Sequence, residues 1–135
     1  MPSHDLIAPN GGTLVDRFVT GDDAKKLTDA AGSMPAITLT FKQACDLEMI
    51  AIGAFSPLTG FVGSEDFKSI CTSMRTADGT PWPIPITLAI DSETKDTLAE
   101  GGQAALHHAD GTLMAVIDIE SISEHDKALE LPNVF

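Results

Sequence analysis

The stretch from Gly53 to Ile86, GAFSPLTGFVGSEDFKSICTSMRTADGTPWPIPI, limits what this chain can fold into more than any other part of it. Pro57, Pro81, Pro83 and Pro85 fall inside it, together with the only tryptophan, Trp82. Proline fixes φ near −65° and removes a backbone donor, whereas glycine admits positive φ. Ser56-Pro57-Leu58-Thr59-Gly60 therefore reads as a stiff turn that presents Phe55, Leu58 and Phe61, which must be buried somewhere. Pro81-Trp82-Pro83-Ile84-Pro85 is set toward an extended path, with an indole large enough to anchor a core.

The rest of the chain reads as short elements. Asp22 is placed to cap a helix over 24–31 that stops at Gly32, and Ile37-Thr38-Leu39 reads as a short strand. Thr40-Phe41-Lys42-Gln43 has the spacing of a capping box, which predicts a helix with Ala44, Leu47 and Ala51 on its buried stripe and an end at Gly53. Ser64, Glu65 and Asp66 open a third helix whose apolar face is Phe67, Ile70, Cys71 and Met74. Asp78-Gly79 turns the chain toward Ile84, Ile86, Leu88 and Ile90, whose alternation predicts a half-buried strand placed by Pro85 at an edge or bulge. A helix capped by Ser92 closes at Gly101-Gly102. A hairpin of 104–108 and 112–119 then turns at Asp110-Gly111. Residues after Ile122 are polar and are expected to lead away from the domain body. Strands interrupted by short helices give an α+β class with a strongly bent sheet or small barrel.

In the order Ile7-Ala8-Pro9-Asn10-Gly11-Gly12, Leu14 and Arg17, Asp46-Leu47-Glu48, Gly53 to Phe61, Met74-Arg75, Asp78-Gly79, Trp82 to Ile86, Asp110-Gly111, Ala115-Val116-Ile117 and Asp126-Lys127, the chain resembles the N-terminal PUA-like domain of ATP sulfurylase. Val62, Phe67 and Thr76 stand where that family often has methionine, tyrosine and leucine. The resemblance implies a PUA-like pseudo-barrel of short, bent, mostly antiparallel strands with several short helices. It places the domain at residues 1–122 and the start of a connection to a catalytic domain at 123–135. It also implies a parent transferase that makes adenylyl sulfate and pyrophosphate from Mg-bound ATP and sulfate, as a homo-oligomer. The family's Gln-x-Arg-Asn-Pro motif and its histidine pair with two intervening residues do not occur in these 135 residues. The chain is thus expected to be a supporting fragment, inactive alone, with no catalytic, cofactor-binding or metal residues of its own. The competing reading is a free-standing PUA-like binding or interaction domain.

Composition bears on both readings. Twenty acidic residues against eight basic ones give a net charge of −12. Such a surface repels phosphates and anionic membranes, which argues against nucleic-acid binding and places any ATP or sulfate site in another domain. Cys45 and Cys71 match neither a zinc spacing nor a Cys-x-x-Cys motif and are expected to be free thiols in the cytoplasm. No apolar run of membrane-spanning length and no secretory signal pattern occurs. Phosphate-loop and dinucleotide glycine motifs are absent too.

Individual candidates are read structurally. His107 and His108 are adjacent, so on a strand they point to opposite faces, and His4 and His125 add no metal-ligand spacing. Ser56 lacks the Gly-x-Ser-x-Gly context of a nucleophile. Asp46 and Glu48 diverge on a helix. Arg75, one of few cations, is expected to form a salt bridge or to complement a helix C-terminus, the alternative being a reach toward a nucleotide. Phe55, Leu58, Phe61 and Trp82 are expected mostly in the core, with some apolar surface left for a neighbouring domain.

Overall fold

A computed structural model describes residues 6–134. Three strands and five helices follow one another as α1 (Gly21–Ala31), β1 (Ala36–Thr38), α2 (Phe41–Ala51), α3 (Ser64–Ser73), α4 (Ser92–Lys95), β2 (Gln103–His107), β3 (Leu113–Asp118) and α5 (Lys127–Val134). The class is α+β, as expected. The sheet is mixed rather than mostly antiparallel: in the order β1-β2-β3, β1 runs parallel to β2 and β2 antiparallel to β3. The parallel pair needs a long crossover, and residues 39–102 supply it.

The capping box forms at Thr40, whose hydroxyl accepts from the Gln43 amide while the Gln43 side chain accepts from the Thr40 amide. The stripe of α2 is rotated from its expected position, with Ala44 and Ile50 fully buried and Leu47 and Ala51 half-buried. Two other caps differ from expectation. Helix α1 starts a turn earlier, with Thr20 as N-cap, so Asp22 lies inside the first turn, where it complements the helix dipole. Helix α3 opens at Ser64 as expected, with Gly63 as its N-cap. Asp91, not Ser92, caps α4 by accepting the Thr94 amide at 2.7 Å.

Two core clusters share Phe61. One joins Ile37, Leu39, Ala44, Ala104, Leu106 and Ile119 beneath the sheet; the other joins Ile50, Leu58 and Ile86, with Phe55 and Trp82 packed on it. Ile70 and Leu106 are the largest fully buried side chains, each worth about 2–3 kcal/mol of transfer free energy. On α3, Ile70 and Cys71 are buried as the periodicity requires, but Met74 is 60% exposed. The helix ends at Ser73, and Met74 takes a left-handed φ of 53° as its cap, which removes it from the stripe.

The expected strand at 84–90 does not form. Pro85, the one proline within it, has no amide hydrogen to donate, and Pro81 and Pro83 interrupt the approach, so a continuous ladder is not built. Single bonds hold the segment instead: Trp82 N to Met74 O at 2.9 Å, Val62 N to Ile86 O at 2.8 Å, and Gln43 Nε2 to Ala89 O at 2.9 Å. Ile84 is exposed and Ile86 buried, so even the expected shared face is broken. The hairpin forms with a register shift between Leu106 and His107. Residues beyond Ile122 do not lead away: α5 lies against α3, and Glu130 is buried there. The signal for that return, a histidine and a glutamate five apart, has no helical or strand period.

Candidate functional site

The proline turn is held from below by the N-terminal segment. Ser56 is buried; its hydroxyl donates to Gly53 O at 2.7 Å and accepts from Val15 N at 2.9 Å. Both hydrogen-bonding capacities visible there are spent on backbone, which makes Ser56 a structural clip and leaves no free nucleophile. Arg17 N bonds Ala51 O at 2.9 Å and Asn10 Nδ2 bonds Pro81 O at 2.7 Å, so residues 10–17 lace α2 to the second proline run. Gly53, at φ 81°, permits this: a Cβ there would sit 2.6 Å from Leu14 Cδ1 and 3.1 Å from Val15 O. The Ser56–Pro57 peptide bond is cis.

Leu58 is buried as expected, whereas Phe55, Phe61 and Trp82 are half-buried. The Trp82 ring meets Phe55 edge-on at 5.6 Å between centroids, and its Nε1 is enclosed with no hydrogen-bond partner. Beside this layer lies a hollow of about 1030 Å³, walled largely by apolar side chains such as Leu47, Phe61, Leu88, Leu98, Met114 and Ile122. At its rim Phe18 is 66% exposed and Val19 42%. Every residue of β3 from Leu113 to Ile117 is half-buried, because that strand pairs with β2 alone.

The polar candidates stay apart. His107 Nδ1 lies 3.3 Å from Gly111 O, while His108 lies 3.4 Å from Asp110, so the two rings serve different contacts of the hairpin turn. Asp46 pairs with Lys42 at 2.9 Å, and Glu48 is exposed. For Arg75 one half of the expectation fails, the salt bridge, while the other half, a cation at a helix C-terminus, fits its place directly after Met74, the cap of α3. Among the described residues it has no carboxylate partner, and its Nη1 donates to Gly79 O at 3.0 Å, closing the turn after α3. His4 lies outside the described residues. Among the described residues no three histidine, cysteine, aspartate or glutamate side chains converge as metal ligands would.

Electrostatics point to the same division. Hydrogen bonds from Thr76 and Thr80 hold the Asp78 carboxyl below the ordinary value of 3.8; Thr94 does so for Asp91 and Thr112 for Asp110. All three are exposed turn or cap carboxylates, not members of a reaction centre. Burial, then the charges of Glu130 and Asp126, push the Cys71 thiol up, which makes it a poor nucleophile while it is covered. Neither Cys45 nor Cys71 is in a disulfide.

Such an arrangement supplies shape and apolar surface. The PUA-like domain family matches residues 7–135. The chain belongs to that family. It is 44% identical over 130 residues to a "Probable bifunctional SAT/APS kinase 2" of Sorangium cellulosum, covering 96% of this chain and 22% of that protein. It is 41% identical over 133 residues to a "Sulfate adenylyltransferase" of Synechococcus, covering 98% of this chain and 34% of the relative. Among solved structures it superposes on "Hexameric APS kinase from Thiobacillus denitrificans" with a TM-score of 0.80 and 33% identity, covering 90% of this PUA-like chain and 24% of that one. The chain thus spans about a third or less of the length of these relatives. The resemblance read from the ordered motifs is upheld, since relatives near 40% identity across almost the whole chain are named sulfate adenylyltransferase. No helix among the described residues is long and apolar enough to cross a membrane.

Proposed function

We propose that this PUA-like chain is the N-terminal, non-catalytic domain of a cytoplasmic sulfate adenylyltransferase, a nucleotidyltransferase of sulfate assimilation, and that it shapes and supports the catalytic domain. The observation that carries the reading is the identity of about 40% over nearly the whole chain to proteins of that name, of which the chain spans only a third. Joining sulfate to the α-phosphorus of Mg-bound ATP with release of pyrophosphate concentrates negative charge, and its transition state needs pre-organised cations. A chain of net charge −12 is unsuited to provide them. ATP, magnesium and sulfate are therefore assigned to the downstream domain, nucleic acid is not a partner, and the whole enzyme is a homo-oligomer. Residues 123–135 begin the connection to that domain. The apolar rim at Phe18 and Val19 is the surface assigned to packing against it.

The experiment is calorimetry with Mg-ATP on residues 1–135. No heat of tight binding is expected. A micromolar site in this chain would overturn the division of labour.

A further inference from the structure

Strand β3 borders the apolar hollow with its edge. Successive side chains of a strand point to opposite faces, so a cavity against one face touches every second residue. Every residue from Leu113 to Ile119 lines the hollow, whereas of β2 only Gln103 and Leu106 do. Backbone bonds fix which groups that edge presents. Ile119 donates to Gly102 O at 2.9 Å and accepts from Gly101 N at 2.7 Å, so its polar groups turn toward the β2 side. Antiparallel pairing alternates, which turns the amide and carbonyl of Ile117 the same way and those of Val116 and Asp118 outward. Among the described residues no strand pairs with that outer edge. A row of backbone donors and acceptors beside apolar walls suits an added strand. It does not suit a small molecule, because the polar groups follow the strand repeat and do not converge.

Charge along the edge narrows what that strand carries. Asp118, Glu120 and Glu124 line the hollow on the way from β3 to α5, and all three are exposed. Among the described residues none of them is in an ion pair, and Asp118 accepts only from the uncharged Gln103 Nε2, at 2.8 Å. A second copy of the chain would bring its own Asp118 and Glu120 and a further −12 of charge. Like charges on paired strands oppose association, so a cationic strand is the complementary occupant.

We propose that the free edge of β3 is completed by an extended segment of the polypeptide downstream of this domain, with apolar residues at alternate positions over the hollow and a lysine or arginine beside Glu120 and Glu124. That the segment belongs to the same polypeptide rests on the proposed function; the open edge itself does not. The chain spans 34% and 33% of two sulfate adenylyltransferases to which it is about 40% identical, so ample chain is available to supply the strand. A tethered segment meets the edge at high effective concentration, and even a weak strand addition then persists.

The test compares amide hydrogen exchange in residues 1–135 with that in a chimera in which they replace the matching third of the Synechococcus relative. Val116 reads the open edge, and Ile119, already bonded to Gly102 O, corrects for overall stability. In the isolated chain Val116 should exchange fast relative to Ile119 at every protein concentration. In the chimera that ratio should fall on the order of tenfold or more, as an edge amide joins a ladder. Glu120→Lys with Glu124→Lys should restore much of the fast exchange in the chimera and leave the isolated chain unchanged; no effect would overturn the cation. If the chimera is insoluble, the rest of the relative is added in trans and the same ratio is read. An unchanged ratio in a chimera that makes adenylyl sulfate would overturn the strand and leave the enzyme reading standing, and a fallen ratio in an inactive chimera would do the reverse. Val116 already slow in the isolated chain, or slowing as its concentration rises, would also overturn the proposal, the latter by assigning the edge to a second copy.

Discussion

Adding one methyl group at Gly53 tests how the N-terminal segment is tied to the proline turn. Gly53 has φ 81°, where an L side chain costs about 1–2 kcal/mol. Its new Cβ would also meet Leu14 Cδ1 at 2.6 Å, Leu14 Cγ at 2.9 Å and Val15 O at 3.1 Å. Leu14 is 57% exposed and can swing aside at little cost, but the Val15 carbonyl belongs to backbone fixed by the Val15 to Ser56 bond. Moving it adds about 1 kcal/mol, so Gly53→Ala should cost about 2–3 kcal/mol in all. Gly79→Ala is the matched control: its φ is 92° and nothing lies within 4 Å of the added Cβ, which leaves only the backbone penalty. Urea unfolding followed by Trp82 fluorescence gives both values. A Gly53→Ala loss no larger than that of Gly79→Ala would show that residues 10–17 do not lace the turn as described.

Leu106→Ala should cost about 2–5 kcal/mol, because Leu106 is 1% exposed at the centre of the sheet core; the denaturant midpoint reads it. Ser56→Ala should cost about 1–3 kcal/mol by stranding the Val15 amide, while the Gly53 carbonyl keeps the Ser56 amide, and hydrogen exchange at Val15 should accelerate selectively. The carboxyls of Asp78, Asp91 and Asp110 are held below 3.8, so their contribution is complete above that pH and is lost as pH falls through their lower folded-state values. Thermal midpoints should therefore drop as the solution is acidified below about pH 4, and an Asp78→Asn, Asp110→Asn double variant should show a shallower drop.

Local patterns in the sequence announced the elements that depend on local chemistry. The capping box at Thr40, the α3 stripe through Ile70 and Cys71, and the hairpin around Asp110-Gly111 are each specified by a few neighbouring residues. The strand expected at 84–90 failed because the alternation of Ile84, Ile86, Leu88 and Ile90 was given more weight than the donor that Pro85 removes and the prolines just before it. Met74 left its stripe because the helix ended one residue sooner than its apolar period. The parallel pairing of β1 with β2 and the return of α5 are long-range, and no local motif encodes them. Of the candidate site residues, Ser56 and the His107 and His108 pair could be read as structural from context alone. The bond from Arg75 to Gly79 O could not, since a guanidinium donates to carboxylate and carbonyl oxygens alike.

The central claim is that this domain supports adenylyl transfer without performing it. Pyrophosphate release should be measured with ATP, magnesium and sulfate for residues 1–135 alone, and for a chimera in which they replace the matching third of the Synechococcus relative. No turnover above buffer is predicted for the first, and sulfate-dependent turnover for the second. Turnover by the 135-residue chain alone, abolished by a point substitution within it, would contradict the account.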